Sequence, residues 1–404
     1  MELARSFWLD NAPLQGFRST PELPSKTDVV VIGGGITGVS TAYWLSQKGI
    51  SVTLLEQRGI SAGATGRNGG HIHPSTNEHF SAAVQRYGVE TALAIWHFAQ
   101  ATAEALKAFV AEHNVECDLY FKGSVSLALH PHELKQLQES VELMLKYGLG
   151  GEYWDGDNCT QKMHTEAFLG GLFLSTAGQL WPAKLVFAIA KVALQLGANI
   201  QTQTAVKAVD HEFGGLNVHT ERGKIRAQYV VHATNAWVSQ LLPFLKNIIV
   251  PVRGQVIITE PVKPLWDFCF SSNYSHEYCI QRRDGRIVLG GMRELSPTQE
   301  LGVDDDSVVE PTVGKGLRDF LPQYFPSLHG IKVEQEWTGI MGFSPDYNPL
   351  VGAVPERDGE YMAAGFTGHG MPIAFLAAKA VAAMIMGCEP DSFVDAFLPS
   401  RFVS

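Results

Sequence analysis

The chain is short of cysteine, of long apolar runs and of clustered basic residues, and each shortage closes off a class of protein. Five cysteines (Cys117, Cys159, Cys269, Cys279, Cys388) are scattered through 404 residues with no CxxC pair. That excludes a disulfide-stapled secreted domain and a thiolate zinc site, and the odd count favours reduced thiols in an intracellular, cytoplasmic setting. The opening "MELARSFWLDNAP" has no apolar core of the secretory kind. The longest apolar stretch, "MPIAFLAAKAVAAMIMG" from Met371, carries Lys379 in its middle and is short for a membrane span. With a net charge of −10 and no basic run, a nucleic-acid partner is not expected. The ending "RFVS" is not a peroxisomal address of the SKL type.

What is present reads as a large, well-buried enzyme of one or two interleaved domains. Residues 1–27, with Pro13, Pro21 and Pro24, are expected to form an extended surface arm. The stretch "TDVVVIGGGITGVSTAYWLSQKGISVTLLEQ" then reads strand, glycine turn, helix, strand. Its apolar run at 29–32 suits a strand buried on both faces. Helices are predicted over 90–112, from Pro131 to Gly148, and from Pro182 to Gly197. A strand-rich region follows, with a turn at Asp284-Gly285, and the acidic run at 304–306 reads as a solvated loop. The tail "GEYMAAGFTGHGMPIAFLAAKAVAAMIMG" reads strand, glycine loop, helix, the helix starting at Met371.

Gly33-x-Gly35-x-x-Gly38 is weak evidence by itself, but its setting strengthens it. It follows a buried strand and opens a helix, and the next strand ends in an acid, Glu56, 18 residues after Gly38. Such glycines let backbone approach a pyrophosphate at the helix N-terminus, together with Ile36 and Thr37, while the carboxylate accepts ribose hydroxyls. The second strand then runs through Gln57 and Arg58 into "GATGRNGGH", 63–71. Four glycines in nine residues suit a loop pressed against a flat ring and a bent pyrophosphate, which favours a flavin over a nicotinamide nucleotide.

In order along the chain stand the GGGITG turn with Glu56, ATGRNGG, WPAKL, VVHATNAW, VRGQ, RDGRIVLGG, WTGIMGFSPDYNPLVG and GFTGHGM. This series resembles the D-amino-acid oxidase superfamily of FAD-dependent amine oxidoreductases over 28–386. That superfamily includes glycine oxidase, sarcosine oxidase and γ-glutamylputrescine oxidase, and the branch nearest in pattern is similar to the last and its relatives of unassigned substrate, in which a GRNGG loop is typical. The resemblance implies a Rossmann-like FAD-binding α/β domain with an inserted, mainly antiparallel-sheet substrate domain (α/β + α+β). The expected segments are 28–90, 165–245 and 330–404 for FAD binding, and 91–164 and 246–329 for substrate.

Carried over residue by residue, the resemblance lays Ala64, Thr65, Gly66, Arg67, Asn68, Gly69 and Gly70 along the pyrophosphate, ribityl chain and ring. Arg67 would offset phosphate charge or touch the ring edge. Val206 would meet the adenine, and Ala233, Thr234, Asn235 and Trp237 would pass near the dinucleotide, although a core position suits Trp237 equally. Gly365, Thr367, Gly368, His369, Gly370 and Met371 would bring amides and a positive helix end to the flavin pyrimidine edge, favouring hydride acceptance. His369 fits either a loop contact or proton transfer. His71 and His73 form an HxH pair without further ligands at metal spacing, so no metal is expected. His71 fits a flavin-adjacent, a substrate-facing or a structural role.

Departures from the family pattern bear on substrate. The arginine with which glycine and D-amino-acid oxidases clamp a carboxylate falls, in this reading, at Met341, which disfavours simple D-amino acids. The cysteine that carries flavin in sarcosine oxidases has no counterpart between Cys279 and Cys388, so FAD is expected to be non-covalent. "GRIVLGGMRE" lacks the lysine those oxidases use toward oxygen, leaving oxygen or another electron acceptor open. Arg253, Tyr278 and Trp337 are candidate pocket residues, core packing being an equal account of the aromatic ones. The expected reaction is hydride transfer from the carbon beside an amine to flavin N5, followed by imine hydrolysis. The alternatives are an NADPH-dependent flavin monooxygenase and a partner-dependent electron-transfer subunit.

Overall fold

Two large sheets divide the computed structural model, which describes residues 5–12, 17–274 and 276–402. The first has six strands in the order Leu350–Ala353, Glu360–Ala364, Tyr229–His232, Val29–Ile32, Val52–Leu55, Asn199–Gln201. All pair in parallel except the first two. The unbroken apolar run at 29–32 is explained by what covers each face. Val29 and Val31 pack with Leu54 and Ile200 against the helices Ile36–Ser46, Pro182–Gln195 and Ala374–Ile385. Val30 and Ile32 face the other way, onto Leu216, Val218 and Ile225 of a three-stranded antiparallel sheet. A strand buried on both sides has no polar position to alternate with.

The second sheet has eight strands, in the order Val333–Phe343, Val250–Thr259, Ile287–Gly290, Glu277–Gln281, Cys269–Ser272, Ser124–Ala128, Gly170–Leu174, Glu152–Asp155. It is antiparallel but for one pair, Cys269–Ser272 with Ser124–Ala128. Side chains alternate faces along each strand. Val125, Phe270, Cys279, Ile257 and Leu289 form a core with the helix Pro311–Tyr324. The opposite face carries one row in register, Leu172–Ser126–Ser271–Tyr278–Gly290–Val256–Trp337.

The domain segments expected from sequence do not follow these sheets. Gly170–Leu174 and Val333–Phe343, placed above with the FAD-binding segments, are strands of the eight-stranded sheet. The helix Val89–Glu112, placed with the substrate segments, packs Ile95, Phe98, Ala103 and Leu106 into the core of the parallel sheet. Local pattern reports that an element is buried, not against which partner.

The N-terminal arm is a surface feature only in part: residues 17–26 are exposed or half-buried throughout, but the segment before them is not. Phe7–Asp10 is a short helix, capped by the Ser6 hydroxyl, and Trp8 is fully buried between Trp181 and Trp337. Pro13 and residues 1–4 lie outside the described residues. Prolines signal extended chain, but a Phe-Trp pair has more apolar area to bury than any other dipeptide of that arm. No helix among the described residues is long and apolar enough to cross a membrane.

Candidate active site

One cavity of about 700 Å³ runs from the glycine turn at the end of Val29–Ile32 to the open face of the eight-stranded sheet. Its first half is built from backbone. Gly33 has φ +111°, and a Cβ there would lie 2.5 Å from the Ala233 carbonyl oxygen. A Cβ on Gly38 would lie 1.8 Å from the Gly33 carbonyl oxygen, so helix and turn touch with no room for a side chain. The Glu56 carboxylate accepts the Gly34 amide at 2.7 Å and the Arg58 amide at 2.6 Å. Burial pushes its carboxyl up, and those two amides with the Arg58 charge pull it back. The Thr65 hydroxyl accepts the Ile36 amide at 3.1 Å, joining the glycine loop to the helix N-terminus.

The loop itself is held from three sides. Trp8 Nε1–H donates to the Asn68 carbonyl at 2.6 Å, Trp337 Nε1–H to the Arg67 carbonyl at 2.8 Å, and the Asn68 side chain binds the Thr65 carbonyl and the Gly70 amide. In front of the loop stands Tyr278. A Cβ on Gly69 or on Gly290 would come within 2.5 Å of its ring, so the tyrosine is seated between two glycines. Burial raises its hydroxyl to about 12.

The second half of the cavity is built from side chains. His71, His73, His79 and His369 all line it, with Ser75, Met341 and Phe343. Burial, joined at His73 by repulsion from the other three rings, lowers the four imidazoles to about 4, 3, 4 and 4. All four are neutral at pH 7. His369 Nε2–H donates to the Ser75 carbonyl at 3.0 Å, and His71 Nε2–H to the Cys279 carbonyl at 3.2 Å. Each of these bonds places the proton on Nε2 and leaves Nδ1 as the basic nitrogen. No group of three or more His, Cys, Asp or Glu among the described residues is arranged to hold a metal ion.

Of the residues singled out from sequence, Gly33, Gly35, Ile36, Thr37, Glu56, Gln57, Arg58, Ala64, Thr65, Arg67, Asn68 and Gly69 line the cavity. So do Val206, Ala233, Thr234, Asn235, Trp237, Thr367, Gly368, Gly370 and Met371. Gly38, Gly66, Gly70 and Gly365 stand behind it. A Cβ on Gly66 would meet the Ser61 carbonyl at 2.2 Å, and the Gly365 amide is bound by Asn235 Oδ1 at 2.9 Å.

Four expectations are corrected. Arg253 does not line the cavity: it is one residue out of step with Gly254 and Val256, so it points to the far face of the sheet and pairs with Glu300. Trp337 is on the cavity face but is roofed by the Arg67 backbone and is fully buried. Asp306 is not solvated. It is buried and binds Arg58 at 2.9 Å and Arg67 at 3.4 Å, so the Arg67 charge is matched within the protein. The last helix begins at Ala374, three residues after Met371, and residues 370–373 form a turn in which the Ile373 and Ala374 amides bind the Gly370 carbonyl.

Sequence reading missed Asp306, Phe343, His79 and Arg293. Arg293 follows the strand "RIVLGG" and carries no motif of its own.

The glycine cradle, the buried acid at one end and the long continuous cavity fit a flavin dinucleotide, and no cysteine lines the cavity. A profile of the family described as FAD dependent oxidoreductase matches residues 28–384, and the chain belongs to that family; FAD is its cofactor. Among relatives, the probable oxidoreductase OrdL of Haemophilus influenzae is 28% identical over 96% of this chain and 89% of its own. The γ-glutamylputrescine oxidoreductase of Escherichia coli is 28% identical over 92% and 85%. The solved L-proline dehydrogenase from P. horikoshii superposes with a TM-score of 0.81 at 26% identity, covering 94% of this chain and 98% of that one. Glycine oxidase from Geobacillus kaustophilus shares the fold, with a TM-score of 0.82 at 21% identity over 94% and 100%.

Proposed function

We propose that this protein oxidises an amine. A hydride leaves the carbon beside an unprotonated primary or secondary nitrogen, the nitrogen sheds one proton, and water hydrolyses the imine to a carbonyl compound and ammonia or a smaller amine. FAD, when bound, supplies the two-electron acceptor. The observation that carries this reading is a single cavity that joins the Glu56–glycine cradle to four neutral histidines. The names of the relatives and of the solved neighbours, which act on CH–N bonds, support it.

In this reading Glu56 takes the adenosine ribose hydroxyls, the amides of Gly35 and Thr37 meet the pyrophosphate, and residues 64–69 follow the chain toward the ring. The amides of Gly368, Gly370 and Met371 face the ring's pyrimidine edge from the turn before the last helix, those of Thr367 and His369 being bound to the Gly342 and Phe366 carbonyls. Tyr278 and Met341 border the substrate. The histidines offer nitrogen lone pairs in place of charge. At about 4 His369 is too weak a base to store a proton at pH 7, so the site's contribution is to admit the amine in neutral form and shield it from water. With all five cysteines unpaired and four of them buried, a reducing, intracellular compartment suits the protein.

The test is anaerobic bleaching of the flavin absorbance by a panel of N-methyl amino acids, D-amino acids, polyamines and γ-glutamyl amines. Bleaching by one class is expected, and readmitting air then assigns the acceptor as oxygen or another oxidant. Bleaching by NADPH alone overturns the reading in favour of a monooxygenase.

A further inference from the structure

Three arginines line the cavity, and two of them are already matched, since Arg58 and Arg67 share Asp306. The side chain of the third, Arg293, makes no hydrogen bond or ion pair to any described residue. Its guanidinium lies over the Phe343 ring, 4.9 Å from the centroid, near Tyr278 and His276. A planar cation supported by an aromatic face keeps its N–H fork free for a planar anion. The backbone is shaped to deliver it. Strand Ile287–Gly290 ends in two successive left-handed residues, Gly291 at φ +131° and Met292 at +59°, the second without a glycine's freedom. Such strain is retained where surrounding structure demands it, and here it turns the chain so that the next side chain faces the cavity.

Resting on the amine reading above, we infer that Arg293 is the specificity residue of this site, gripping a carboxylate on the amine substrate. The anion is therefore held from the loop after Gly290, while Met341, on the neighbouring wall, makes only an apolar contact. Beyond Tyr278 the same sheet row continues to Ser271, Ser126 and Leu172, so the cavity continues past the grip along the sheet. The substrate class that fits is an amino acid or N-substituted amino acid whose chain extends along that row, rather than a polyamine.

The test uses the FAD-loaded full chain and its Arg293→Gln and Arg293→Lys variants. Sarcosine, proline, 4-aminobutyrate and γ-glutamyl amines are each compared with their carboxamides for flavin reduction. Separately, propionate, which cannot be oxidised this way, is titrated by the shift it causes in the flavin spectrum. In wild type the acid of at least one pair is expected to outperform its amide. Arg293→Gln should raise KM for that acid by about 10- to 100-fold, the range for a charged hydrogen-bonded contact, with kcat and the amide's constants little changed and propionate binding lost. Arg293→Lys should recover part of the binding. Because the side chain has no partner to strand, Tm and flavin content should stay at wild-type values. Equal use of acid and amide, or an acid preference and propionate binding that survive Arg293→Gln, overturns the inference. If no amine reduces the flavin but propionate binding still depends on Arg293, the grip stands and the amine reading falls.

Discussion

The two ends of the cavity are made in different ways. At the Glu56 end the wall is backbone brought close by missing side chains: Gly33 against Ala233, Gly38 against Gly33. At the histidine end the wall is side chains from five separate stretches, His71–Ser75, His79, Tyr278, Met341 and His369, with neutral rings where charge would be expected. A dinucleotide needs close approach and amide dipoles, which a short local motif can supply. A small substrate needs an individual arrangement of groups, which only the assembled sheet can supply.

The largest effect should come from closing the backbone end. Gly38→Ala puts a methyl 1.8 Å from a carbonyl oxygen, and no flavin-loaded folded protein is expected on purification. Gly59→Ala, where a Cβ meets nothing within 4 Å, should retain flavin and Tm; equal behaviour of the two would remove the close-approach account. Next, Asp306→Ala removes the buried carboxylate that Arg58 and Arg67 share and should cost about 3–5 kcal/mol in chemical denaturation. A loss below 1 kcal/mol, about what an exposed pair gives, would return Asp306 to the surface.

The histidine end should respond to pH. Four imidazoles titrate at about 3–4 when folded and near 6.5 when unfolded. Below 6.5 the unfolded chain therefore binds more protons than the folded one, and stability falls as pH drops, levelling once the folded rings also protonate. Tm should be several degrees lower at pH 5 than at pH 7, and a His79→Phe variant should lose less. The smallest change is Met341→Leu, a volume-conserving swap that should alter stability by less than about 1.5 kcal/mol while leaving propionate binding intact.

Much of the backbone end was legible because its information is local. The glycine turn, Glu56 and the glycine loop lie within 38 residues, and their spacing alone points to a dinucleotide. Arg253 was misread for a reason of register: strand residues alternate faces, and sequence does not say which parity meets the cavity. Trp8 and Asp306 were misread as surface because their partners, Trp181, Trp337 and the two arginines, are far off in sequence. His79 and Arg293 carry no motif, and only the assembled sheet and loops bring them to one space.

The glycine loop has a consequence for biosynthesis. Its supports come from opposite ends of the chain, Trp8 on one side and Trp337 and the Thr338 carbonyl on the other. A ribosome delivers the first of these hundreds of residues before the second. The nascent chain can thus form the Glu56 turn early, yet it cannot close the wall around a cofactor until residue 338 has left the exit tunnel. Flavin retention is thus expected late in the making of this protein, and chains truncated before that point should emerge without it.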